Sequence, residues 1–129
     1  MKALSCDKIH PPFGHYSQGT EIPAGWRVVK TSGQLGIMLD GTIPEDAYSQ
    51  ACVCFESISR ILAKATMSAG DVAHISAYVT DREHFGDYMR ARDEFMGGVD
   101  RLPGSTLLIV SGFTRSEFKV EVEVTAAAP

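Results

Sequence analysis

The stretch Ala73-His74-Ile75-Ser76-Ala77-Tyr78-Val79-Thr80-Asp81-Arg82-Glu83 changes its hydrophobic period part-way along. Up to Val79, apolar residues alternate with His74, Ser76 and Tyr78, the two-residue period of a strand with one apolar and one mixed face. Thr80-Asp81-Arg82-Glu83 then has capping-box form, a hydroxyl three residues ahead of a carboxylate, and opens a helix. Its stripe is Phe85, Tyr88, Met89, Phe95 and Met96, with Arg92 in the middle, and Gly97-Gly98 ends it. Beyond the connector Leu102-Pro103-Gly104, residues 105–110 read as a further strand.

Working outward, Ala47, Ala51, Cys54, Phe55, Ile58, Ile61, Leu62 and Ala65 recur at helical spacing. Pro44 suits the first turn of that helix, Glu45 and Asp46 suit the positive end of its dipole, and Gly70 is expected to close it. Before it, residues 26–31 and 34–39 read as strands interrupted at Ser32-Gly33, and Asp40-Gly41 signals a turn. At the far end Phe118, Val120, Val122 and Val124 alternate with Lys119, Glu121, Glu123 and Thr125. The resulting order, β-β-α-β-α-β-β, predicts one α+β domain over residues 1–129, with a mixed sheet and both helices on one face. The other face would carry Ser76, Tyr78, Glu121 and Glu123 beside Leu107 or Leu108. Such a face meets water or another copy, and its mixed chemistry favours an oligomer with polar groups in the contact.

Composition narrows the function classes. Of 129 residues, 44% are hydrophobic and 22% charged, which argues against disorder and coiled coil. The net charge of −4 counts against nucleic-acid binding, which needs a basic surface. The longest apolar run, Ala51 to Phe55, is far short of a membrane span, and Met1 to Pro12 lacks a signal-peptide core, so a cytoplasmic protein is expected. Three cysteines argue against a disulfide framework. Cys52 and Cys54 on one helix would point roughly 200° apart, which suits reduced thiols rather than a shared metal ion. The histidines, His10, His15, His74 and His84, show no ligand spacing, so no metal site is expected.

Several segments resemble the reactive-intermediate (imine/enamine) deaminase family, also called the YjgF or endoribonuclease L-PSP family. Gly14-His15-Tyr16-Ser17-Gln18 is similar to its G-P-Y-S-Q start and Thr31-Ser32-Gly33-Gln34 to its T-S-G-Q turn. Gln50 stands where the family has a glutamine early in its first helix. Asp71-Val72, Ala77-Tyr78-Val79-Thr80-Asp81 and Phe85 resemble its D-V…V-Y-L-T-D…F stretch. Pro103 with Lys119-Val120-Glu121-Val122-Glu123 resembles its P-A-R…V-E-I-E ending. The series covers nearly the whole chain in order. The resemblance implies a fold of the bacterial chorismate-mutase type, a homotrimer with three clefts between subunits, and cofactor-free hydrolysis of reactive imines to a keto acid and ammonia. It also implies an arginine that binds the substrate carboxylate. Here that position is Ser105, the family's frequent cysteine two residues on is Leu107, and its second-helix asparagine position is Met89, which places the chain with the arginine-lacking branches.

Imine hydrolysis needs a held water, a proton carrier and a group that fixes the substrate. Glu121 is the candidate for orienting water, against the plain alternative of a solvated strand carboxylate. Tyr16 could close the cleft and donate its hydroxyl, or simply pack. Gly33 would let the backbone approach a ligand, or mark a turn. Ser105 and Thr106 offer hydroxyls, though neither replaces a guanidinium. Arg92 or Arg101 could supply the missing charge, the alternative being a structural ion pair. His15 is a candidate proton shuttle at the cleft mouth, or a surface histidine. The leading expectation is a deaminase acting on a small imine, enamine or related metabolite. A non-catalytic module binding a metabolite or protein is the competing one, and a ribonuclease comes third.

Overall fold

The computed structural model describes residues 1–129 and contains seven strands and two α-helices. β1 (Lys2–Leu4) and β2 (Gly19–Glu21) form a separate antiparallel pair. β3 (Arg27–Lys30) and β4 (Gln34–Leu35) both pair with the last strand, β7 (Val120–Ala128). Helix α1 (Ala47–Lys64) leads to β5 (Val72–Val79), and α2 (Phe85–Phe95) leads to β6 (Gly104–Ile109). The main sheet runs β3-β7-β5-β6, with β4 also on β7. Only β5 and β6 are parallel, and α2 is the crossover that parallel neighbours need.

Both helices cover one face, as expected. Strand parity turns Ile75, Ala77, Val79, Val120, Val122 and Val124 toward Ala51, Cys54, Phe55, Ile58, Leu62 and Tyr88, forming one continuous core. Burying side chains such as Ile58, Leu62 and Ile75 contributes about 2 kcal/mol each. The opposite face, with His74, Ser76, Tyr78, Glu121 and Glu123, has no helix over it and stays partly exposed. Of the two leucines named for that face, Leu108 is there, 51% exposed, whereas Leu107 packs against the helix-side core.

Several boundaries differ from the sequence reading. β1 and β2 were not expected. Three-residue strands with polar members carry too short a pattern to show an alternation. The strand expected over 34–39 stops at Leu35. A Cβ on Gly36 would come within 2.5 Å of Gln50 Cβ, so the chain there leaves the sheet to press on α1. Pro44 and Glu45 precede α1 instead of forming its first turn. Asp46 is the N-cap, and its carboxylate accepts the Ser49 amide at 2.8 Å. The helix ends at Lys64, before Gly70, because Thr66 adopts φ 57° and reverses the chain. Gly70 sits in a separate 3-10 turn, Ala69–Asp71. Thr80 does not cap the second helical segment. Asp81 accepts the Glu83 amide and opens a 3-10 turn, Arg82–His84, that runs into α2. β7 continues past 125 to Ala128, lengthened by its pairing with β3. No helix is long and apolar enough to cross a membrane.

Candidate functional site

The candidate residues fall into two groups on opposite faces of the sheet. In β6 Ser105 lies beside Ile75 and in β7 Glu121 beside Tyr78, so the two-residue period directs Ser105 to the helix side and Glu121 to the uncovered side. Thr106, next to Ser105, points the other way and meets His74 Nε2 at 3.2 Å.

On the helix side, a cavity of about 300 Å³ opens between β6, α2 and the loop before β2. Its wall comprises Phe13, Gly14, Tyr16, Phe85, Met89, Arg92, Ser105 and Leu107. The loop reaches the sheet through the Ser17 amide, which donates to the Pro103 carbonyl at 2.8 Å. The Tyr16 oxygen accepts the Phe13 amide at 3.1 Å, so its own proton is free to donate elsewhere. Gly14 passes close over the wall, where an added Cβ would lie 3.3 Å from both Arg92 Nη2 and Met89 Cε. The Arg92 guanidinium carbon stands 5.8 Å from the Tyr16 ring centroid. Arg92 is only 3% exposed, and it donates to Asp93 Oδ1 from Nε at 3.1 Å and from Nη2 at 3.0 Å. Behind Ser105, the buried Tyr88 hydroxyl has no hydrogen-bond partner, and burial raises its pKa while the Arg92 charge opposes that rise. Met89, Ser105 and Leu107, three of the positions at which this chain departs from the family motifs it resembles, all face the cavity.

On the uncovered side, Glu121 sits against Gly33. A Cβ on Gly33 would fall 2.0 Å from Glu121 Oε1 and 2.7 Å from its Cδ, so only glycine leaves that carboxylate where it is. Burial, and secondarily the charge of Glu123, raises the Glu121 pKa. Glu123 itself accepts from the Tyr78 hydroxyl at 3.0 Å and lies 3.5 Å from Lys30 Nζ. That hydrogen bond in turn raises the Tyr78 pKa. This Lys30–Glu123–Tyr78 network was not singled out in the sequence. Its members are dispersed, and only the β5–β7 register unites two of them.

Arg101 stands apart from the cavity. Its Nη2 donates to the Gly70 and Val72 carbonyls at 2.8 and 2.9 Å, and burial lowers its pKa. His15 is exposed and outside the cavity wall. Gln50 is fully buried, donating to the Pro44 and Glu117 carbonyls and accepting the Lys119 amide. It therefore ties the loops on either side of α1 and β7 together.

The Endoribonuclease L-PSP family profile matches residues 8–128, and the chain belongs to that family. Among its relatives, TdcF of Escherichia coli strain K12, named as a candidate reactive intermediate deaminase, is 27% identical over 95 residues, spanning 73% of this chain and 71% of TdcF. A RutC family protein of Aquifex aeolicus is 25% identical over 127 residues, 98% of each chain. The crystal structure of E. coli TdcF with bound serine superposes with a TM-score of 0.74 at 25% identity, covering all of both chains. A Rid family protein of unknown function from Yersinia pestis, YyfB, shares the fold with a TM-score of 0.87 at 20% identity over 98% of each chain.

Proposed function

We propose that the chain is a cofactor-free hydrolase that deaminates a small imine, enamine or related metabolite in a cleft between copies of a homotrimer. The observation that carries this reading is the Glu121 carboxylate, half-buried with a raised pKa and seated on Gly33, on a sheet face that no helix covers. The Tyr16–Ser105–Arg92 cavity lies on the opposite face of the same chain, so a reaction using both halves needs a second copy. A closed ring of three copies would supply each cavity with a neighbour's Glu121. Family membership and the relatives' deaminase names support the reaction class.

In this reading Glu121 takes a proton from water as the water oxygen bonds to the C=N carbon. The C=N electron pair moves to nitrogen, which receives that proton from Glu121 to give a carbinolamine. Glu121 next carries the carbinolamine hydroxyl proton to the nitrogen, the C–N bond breaks as the C=O bond forms, and a carbonyl compound and ammonia leave. The Tyr16 hydroxyl, its acceptor side already occupied, donates to the substrate, and Ser105 supplies a second hydroxyl contact. Because Ser105 stands at the family's arginine position, the substrate differs from the family's standard one. The test is ammonia release from imines made in situ by oxidases acting on amino acids, amino-acid amides and amines. Acceleration over the uncatalysed rate supports the reading, and none across the panel defeats it.

A second reading, a non-catalytic binding module on the same scaffold, is favoured by the one cavity cation being already paired to Asp93. It expects thermal stabilisation by a ligand without turnover.

A further inference from the structure

We infer that Asp93 sets the cavity to accept ligands with an uncharged carbonyl end and to reject carboxylate anions. This rests on the preceding reading for the location of the site, and it names the class of molecule bound there. Arg92 is the single charged residue in the cavity wall, and the other polar side chains there are the hydroxyls of Tyr16 and Ser105. Both hydrogen bonds of the guanidinium go to one oxygen of Asp93, which itself lies outside the wall and is 46% exposed. The ion pair leaves the cavity with no net positive charge and takes up the Nε–Nη2 edge of the guanidinium, so an entering carboxylate would meet only the remaining Nη1 and Nη2 protons of a pair already neutralised.

A carboxylate entering this site would be an uncompensated anion against apolar walls formed by Phe13, Phe85, Met89 and Leu107. The Glu121 of a neighbouring copy would add a second negative charge. A carbonyl oxygen of an amide, ester or ketone has no such cost. It can accept from Nη1 and from the Ser105 hydroxyl while its apolar substituent fills the remaining volume. Sequence adjacency of Arg92 and Asp93 fixes the pair on one turn of α2, so the cancellation is built into the helix.

The test is calorimetric titration of the intact protein with a matched pair of probes, phenylglyoxylamide and phenylglyoxylate, at neutral pH. The amide is expected to bind at least about tenfold tighter than the anion. Asp93→Asn, a change at a half-exposed helix position, removes the charge that cancels the guanidinium's and is expected to bring the two probes within about twofold or to reverse their order. Arg92→Met is expected to weaken the amide. Equal or tighter binding of the carboxylate by the unaltered protein overturns the inference. So does an unchanged preference in Asp93→Asn, or failure of both probes to bind. Binding is read without turnover, so an amide that binds tightly while no imine is hydrolysed sinks the hydrolase reading and leaves this one standing.

Discussion

At the scale of single residues, the glycine-carboxylate contact is the most sensitive feature of the site. In Gly33→Ala the new methyl would overlap the end of the flexible Glu121 side chain, which can swing away without moving the backbone. The expected outcome is a loss of at least about tenfold in kcat with little change in melting temperature, read by the ammonia assay beside a thermal melt. The raised pKa of Glu121 fixes the sign of two pH effects. Activity that needs the carboxylate should rise with pH through a midpoint above the ordinary glutamate value, and Glu121→Gln should abolish it. Stability runs the other way. The folded state favours the protonated acid, so the contribution is full below the unfolded pKa and is lost as pH rises through the folded one. A pH–rate profile with no glutamate-dependent limb would contradict the assignment.

Among the elements, Gln50 joins α1 to the chain before it and to the start of β7 with three hydrogen bonds from a fully buried amide. Gln50→Leu keeps the volume but strands two carbonyls and one amide. It should cost about 3 kcal/mol and lower the melting temperature by about 10 °C, measured by calorimetry. A shift within error would mean that water replaces all three bonds. The elements themselves were readable where patterns were long. The alternation in β5 and β7 and the apolar stripe of α1 run for two turns or more, and their burial follows that pattern. The ends of α1 were not readable, since Asp46 as cap and the left-handed Thr66 depend on the local path of the chain. Nor was Gln50's role, whose partners Glu117 and Lys119 lie far along the chain.

For the whole molecule, the question is what covers the second face of the sheet. Leu108, half-exposed there, has room for a charge in the isolated chain, so Leu108→Glu should leave the fold intact by circular dichroism. If the proposed trimer forms through this face, the same change should leave a monomer by light scattering. A trimer that survives it would place the contact elsewhere. Of the site, the identities of Tyr16, Gly33, Ser105 and Glu121 were legible from the family resemblance, and Arg92 from its odd place on an apolar stripe. Glu121's place on the uncovered face was legible from the alternation of the last strand, whereas Ser105's place on the helix side follows from the β5–β6 register. Thr106, a candidate for its hydroxyl, and Arg101, a candidate for its charge, do not line the cavity. Strand parity turns the first away, and backbone carbonyls occupy the second.

The most direct test of a site shared between copies is complementation of two inactive variants, Tyr16→Phe and Glu121→Gln, co-assembled from denatured mixtures and assayed for ammonia release. In a ring, some clefts then combine an intact Tyr16 from one copy with an intact Glu121 from its neighbour. Roughly a quarter of the unaltered activity should return in an equal mixture. Mixtures no more active than either variant alone would contradict the shared site.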